Sequence, residues 1–287
     1  MRRLPPPAHT AADSFCACIS RVRDAGLKKR LEDSQTEVVA AATRFAEAVP
    51  AVALHSLEQG DFKLDTVTDR EMADVYTLRM AAKKGAGRKI YDDLILGAEG
   101  GHCPLCGQRD VSTLDHHLPK KRFPTLAVAP LNLIPACADC NKVKGEKAPK
   151  HSEEETLHPY FDDIESDLWL RAAVVETTPA ALRFFVSPPD NWDSVLTGRV
   201  RHHFKAFGIA KLYASQAAVE LCNITHQLTE AYTANPTDGV RRVKSILEEA
   251  AESRCRARLN SWQSATYRAL ADSSWYCQGG FLTDEPA

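Results

Sequence analysis

An α+β fold is predicted for this 287-residue chain by three observations. Alanine-rich stretches with helical apolar spacing lie toward both ends. Between them, prolines, glycines and cysteines replace that spacing, and two short β-prone runs follow. Hydrophobic residues make up 44% and charged residues 26%, as in ordinary globular proteins.

The first helical stretch spans residues 31–57, and Pro50 is expected to divide or kink it. A second spans 68–96 and opens on Thr68-x-x-Glu71, a pattern in which each side chain can satisfy the other's free backbone N–H. The first seven to ten residues are expected to be loose. At 97–101 the composition changes, and residues 102–163 read as a compact metal-dependent unit. Runs 168–174 and 181–186, joined through Thr177, Thr178 and Pro179, read as a hairpin covering one side of that unit. Helical patterns resume at 192–232 and 237–270, and the aromatic piece 275–281 around Gly279 and Gly280 is expected to dock back. The chain therefore divides into a helical region 1–97, a central domain 98–165, and a hairpin-plus-helices region 166–287.

The formal net charge of −2 is an average over unequal parts. Residues 101–150 hold eight Lys or Arg against four Asp or Glu, so basicity is concentrated in the centre. Nine cysteines, an odd number with four in Cys-x-x-Cys pairs, read as a reducing, cytoplasmic setting and not a disulfide scaffold. No stretch approaches eighteen continuous apolar residues, and the start runs into Pro5, Pro6 and Pro7, so neither a membrane span nor secretion is expected.

Cys103 and Cys106, with Cys137 and Cys140, have the spacing of two zinc knuckles. Four thiolates fill a tetrahedral Zn²⁺ completely, so this metal is expected to organise the fold and leave hydrolysis to other groups. Between the knuckles stands Leu114-Asp115-His116-His117-Leu118-Pro119, and Asn141 follows the last cysteine directly. Cleaving a phosphodiester needs an activated water and positive charge on the phosphate. Asp115 can hold Mg²⁺ or Mn²⁺, His116 can take a proton near neutral pH, and Asn141 offers a second oxygen ligand on a short helix. Lys120, Lys121, Arg122, Lys142 and Lys144 are candidates for gripping nucleic-acid phosphates. Strand alternation turns His117 away from His116, into packing. His158-Pro159-Tyr160-Phe161-Asp162 is expected to close the unit, and His202-His203 to lie on a helix surface.

These segments, together with Cys103-Pro104-Leu105-Cys106, Asn132-Leu133 and Cys137-Ala138-Asp139-Cys140-Asn141-Lys142, resemble the HNH (ββα-metal) nuclease family. The resemblance covers about 60 residues. It implies a ββα-metal unit with His116 as general base, Asp115 and Asn141 as metal ligands, and Asn132 organising the loop between the strands. Asn141 stands where the family's name has its last His, which favours an oxygen-preferring ion. Leu114 to Lys120, Asn132 to Cys137 and the His158 segment further resemble bacterial HNH proteins of anti-phage defence, in particular the nuclease partner of an ATPase in Septu-type systems. The family resemblance favours DNA over RNA as substrate without settling it, and the narrower one implies an ATPase as protein partner. Any ATP hydrolysis would belong to that partner, since the chain has no Gly-x-x-x-x-Gly-Lys-Ser/Thr. The competing reading is a zinc-organised nucleic-acid-binding or scaffold subunit with an inert centre.

Overall fold

The computed structural model describes residues 1–234 and 238–282. The chain is mainly helical with two separate two-stranded antiparallel sheets, in keeping with an α+β class. It forms two compact units, Met1–Asp163 with Gly198–Phe207, and Ile164–Thr197 with Gly208–Ala287.

In the first unit, α1 (Ala11–Ile19) starts at a capping box between Thr10 and Asp13. The adjoining α2 (Ala25–Asp33) starts at Asp24, whose carboxylate accepts from Leu27 N. Helix α3 (Gln35–Ala48) ends just before Pro50, whose ring and missing N–H forbid its continuation. The Thr68–Glu71 box opens α4 (Asp69–Asp74), which widens into π-helical turns over Val75–Met80. The expected continuous helix to 96 is broken here. Gly87 passes so close to α1 that a Cβ on it would lie 2.4 Å from Cys18 Sγ, and α5 (Arg88–Leu96) begins only afterwards.

The first sheet pairs β1 (Thr113–His116) with β2 (Leu133–Ala136), Asp115 opposite Ile134 and His116 opposite Leu133. Helix α6 (Ala138–Lys144) follows β2. Four-residue strands bury too little to stand alone. Leu114, Leu133, Ala127 and Val128 therefore join a core with Phe15, Leu31, Met72, Val75 and Met80 from the N-terminal helices. A second cluster packs Phe45, Val49 and Phe62 against Leu118, Phe123 and Leu126 of the loop between the strands. The expected boundary at 97/98 is thus replaced by one shared core. Nor is the N-terminus loose: Arg2 N donates to Pro104 O and Leu4 N to Pro159 O, both at 2.8 Å, and Leu4 is buried.

The second unit contains β3 (Leu170–Val175) and β4 (Ala181–Val186), in register from Leu170 opposite Val186 to Val175 opposite Ala181. This hairpin was expected to cover the central domain. It belongs instead to the second unit, because its partners are there: Phe184 stacks edge-on to Tyr213 at 5.7 Å, and Arg268 donates to Leu170 O. The helical stretch expected from 192 is divided at Gly208 (φ 61°), between α7 (Ser194–Ala206) and α8 (Ile209–Thr233). Next come α9 (Gly239–Ala257) and α10 (Trp262–Asp272). Thr237, expected to open the next helix, lies outside the described residues. Tyr276 and Phe281 of the final aromatic piece are buried and in contact at 5.4 Å.

The C-terminal half of α7 belongs to the first unit. Buried Arg199 forms a two-pronged pair with Asp162, at 2.9 and 2.6 Å, and donates to Glu155 O. Removing one partner strands the other charge, so Arg199→Ala should destabilise the chain by about 3–5 kcal/mol. Urea unfolding checks this, and a loss below about 1 kcal/mol, the size of a surface pair, would refute it.

Candidate functional site

The thiols of Cys103, Cys106, Cys137 and Cys140 are all buried and lie within 4.8 Å of one another. Sulfurs around a tetrahedral zinc stand about 3.8 Å apart, given Zn–S bonds of about 2.3 Å, so a small inward adjustment closes the cluster on the ion. Gly107 (φ 70°) turns the first knuckle, its N–H donating to Cys103 O at 2.7 Å. Cys137 caps α6, its sulfur accepting from Cys140 N. The four thiols bond to one another, so their ionisation belongs to the cluster and to no single cysteine.

Asp115 and His116 leave β1 on opposite sides. Asp115 is 2% exposed and faces α6, where Lys144 Nζ stands 2.9 Å from Oδ2. At that distance the ammonium is the partner of Oδ2, in an ion pair enclosed by the fold. Burial pushes the Asp115 carboxyl up, with Lys144 opposing. Lys144 therefore does not project as a free phosphate contact, as expected from sequence. Its ammonium is buried between Asp115 and the carbonyl of His116, because the register of α6 on β1 aims it inward. One turn earlier, Asn141 Nδ2 reaches Thr113 Oγ1 at 3.5 Å. Asn141 and Lys144 thus cover Thr113 and Asp115, which alternate onto the same strand face.

His116 packs edge-on against Tyr76, with ring centroids 4.4 Å apart, and its Nε2 lies 2.9 Å from Ala127 O. A carbonyl can only accept, so the neutral ring carries its proton on Nε2 and presents Nδ1 as a lone pair. The ring is partly exposed by area, yet enclosed enough that burial, aided by Lys120, lowers its pKa to about 3. Lys120 Nζ lies over the Tyr76 ring, 4.4 Å from its centroid. Lys121 pairs with Glu146, Arg122 donates to Gln59 Oε1, and Lys142 is exposed.

Asn132, fully buried, holds the loop between the strands. Its Oδ1 accepts from Leu118 N at 2.7 Å, and its Nδ2 donates to Leu118 O and Leu126 O. Ser14 Oγ donates to Val128 O across the same loop. The loop carbonyl that orients His116 is thereby fixed from both ends.

His117 points the other way and stacks on His158 at 4.4 Å. His158 Nε2 donates to Leu131 O, and Tyr160 O–H donates to Leu133 O, so this segment closes the unit by hydrogen bonds and packing. His203 overturns the surface expectation: it is 2% exposed, with Nε2 2.8 Å from Leu105 O in the first knuckle. A solitary His–His pair carries no sequence sign of a carbonyl almost a hundred residues away.

A semi-enclosed cavity of about 740 Å³ lies beside α6. It is lined by Lys144, Lys147 and Lys150, by His117, and by His202 and Lys205 from the end of α7, among others.

Comparison with known proteins gives one full-length likeness. Protein ea31 of Escherichia phage lambda is 27% identical over 300 aligned residues, which take in 97% of this chain and all of that protein. No protein-family profile matches the chain, and no solved structure matches it. The likeness to ea31 is not confined to the cysteine-rich centre, so the helical arms are part of what the two chains share. No helix among the described residues is long and apolar enough to cross a membrane.

The buried histidines set an acid limit. Burial lowers His158 and His203 from the ordinary value near 6.5 to about 3. Between those values the unfolded chain binds protons that the folded chain does not, so stability is greatest above pH 6.5 and falls as pH drops. These two should cost at least about 2.7 kcal/mol per pH unit below 6, and His116 and His117, lowered in the same direction, add to it. Urea midpoints measured from pH 7 to pH 4.5 give the proton uptake, and a flat profile would refute the neutral, buried state of both rings.

Proposed function

We propose that this chain is a metal-dependent endonuclease that hydrolyses DNA phosphodiester bonds at a ββα-metal (HNH) centre, held in shape by a structural zinc on four cysteines. The observation that carries the reading is His116. Its Nε2 is tied to Ala127 O and its Nδ1 is unpartnered among the described residues, one residue from a buried carboxylate covered by α6. An imidazole nitrogen held as a free lone pair is what a general base needs.

Asp115 and Asn141 would hold Mg²⁺ or Mn²⁺. The Asp115 carboxylate fits a hard cation once Lys144 is displaced from Oδ2, and the partly exposed Asn141 amide offers a neutral oxygen. When bound, such an ion supplies positive charge to the phosphate oxygens as the transition state forms. His116 Nδ1 takes a proton from water, the water oxygen bonds to phosphorus, and the bond to the leaving sugar oxygen breaks, with that oxygen protonated from solvent. A phosphate alongside raises the imidazole pKa from about 3 toward the range where a base works best. Lys120, Lys121, Arg122 and Lys142 would flank the strand.

In the cell we place the activity in conflict between phage and host, with an ATPase as partner. The resemblance to Septu-type nucleases and the phage origin of ea31 support this. A second reading, an inert zinc-organised binding subunit, is favoured by one contact: Lys144 already sits where the metal would.

Conversion of supercoiled plasmid with Mg²⁺, with Mn²⁺ and with EDTA, at low salt, tests the reading. Metal-dependent cleavage, alone or with its co-purifying ATPase, is expected. Binding without cleavage under every condition would favour the inert subunit.

A further inference from the structure

The cavity beside α6 has no part in the chemistry just described. One wall is the end of α6 with the loop behind it, Val143 to Lys150, and the opposite wall is the end of α7, His202 to Phe207. His117 and Glu155 line it between the two. The walls are fixed: Arg199 anchors α7 to Asp162 and Glu155 O, and His203 anchors it to the zinc knuckle. Its volume is that of a ligand site and not of a packing fault.

The charges inside are unbalanced. Lys144 is matched by Asp115; Glu155 shares a hydrogen bond with His55 Nδ1 at 2.6 Å and keeps its charge, so the lining carries four ammonium groups against two carboxylates. Glu154 accepts from the backbone N–H of Lys150. Lys147, Lys150 and Lys205 are exposed, and among the described residues none has a carboxylate within ion-pair reach. Three unpaired ammonium groups and His202 thus converge from two anchored walls on one concave space. Mutual repulsion would spread such groups unless an anion joins them. Lys144 lines the cavity and is paired with Asp115, so an anion seated there lies near the proposed metal carboxylate.

We propose that this cavity binds sugar-phosphate backbone of one DNA strand, with Lys147, Lys150 and Lys205 each meeting a phosphate. The inference deepens the nuclease reading and rests on it for the identity of the polyanion. It gives the return of α7 to the first unit a purpose: Lys205 completes a strand-binding groove that the central segment lacks by itself.

Fluorescence anisotropy of the full-length protein with a labelled 20-base-pair duplex, in EDTA from 50 to 200 mM salt, tests it. The double variant Lys147→Ala, Lys205→Ala should bind roughly tenfold more weakly at 100 mM salt and lose about 1.8 from the slope of log affinity against log salt, two phosphate contacts' worth. Lys211→Ala, on exposed α8 surface, is the control, and melting and zinc content verify folding. An unchanged slope in the double variant, with DNA still bound by wild type, overturns the cavity while leaving the nuclease reading standing. ATP binding by wild type that the double variant loses, with duplex binding unchanged in that variant, assigns the lysines to a small phosphate ligand and overturns it too. Full cavity-dependent binding without cleavage under any metal condition instead removes the nuclease reading and keeps the groove.

Discussion

Cys137→Ser should lose its zinc and the cooperative unfolding of the first unit. Serine is the sharpest substitution available, because it is itself a good helix cap and can replace the sulfur that accepts from Cys140 N, so the thiolate alone is removed. Zinc supplies about 10–16 kcal/mol to small metal-folded units, comparable with the whole stability of about 5–15 kcal/mol of a typical domain. Loss of one of four ligands is enough to tip that balance. The cluster also holds the ends of the segment that carries β1 and the loop behind it, so its failure should spread to Asp115 and His116. Elemental analysis should find one zinc per wild-type chain and close to none in the variant, with the exposed Cys222→Ser unchanged in both zinc and melting. Normal zinc and normal melting in Cys137→Ser would end the clamp.

His116→Ala should reduce metal-dependent cleavage by about 10²- to 10⁴-fold, the usual worth of a positioned base. Its structural cost should be small, since the ring is partly exposed and makes one hydrogen bond, to Ala127 O, worth about 1 kcal/mol. Activity and stability therefore separate: circular dichroism and zinc content should match wild type while plasmid conversion is lost. Cleavage within threefold of wild type would remove His116 as the base. The contrast with Cys137→Ser is diagnostic, because one variant fails with its fold intact and the other by losing it.

Much of the centre was legible from spacing. Two Cys-x-x-Cys pairs can converge on one ion whatever surrounds them, and the structure brings the four thiols together. The alternation that sets Asp115 and His117 apart from His116 is a property of any strand. The Thr68–Glu71 box and the helix stop at Pro50 are local backbone chemistry and were equally readable. What escaped was set by distant parts of the chain. Arg199 and His203 look like ordinary helix residues, and only tertiary packing sends them to Asp162 and Leu105 O. Tyr76 is one aromatic in a helical pattern until the fold lays it on His116. Lys144 read as a phosphate contact because sequence shows its distance from Asp115 along the chain and not the register of α6 on β1. The hairpin of β3 and β4 was recognised as a hairpin but assigned to the wrong unit, since pairing is local and docking is not.

The first unit is discontinuous: the chain leaves it at Asp163 and returns at Gly198. During translation at about 5–20 residues per second, the knuckle cysteines emerge roughly 3–13 s before His203, which covers the first knuckle. Zinc capture therefore has an open interval on the ribosome, and the last wall arrives afterwards. Expression fragments ending near 165, a natural place to cut by composition, would present a metal cluster with one side bare, whereas a segment through Phe207 carries every residue that the first unit uses.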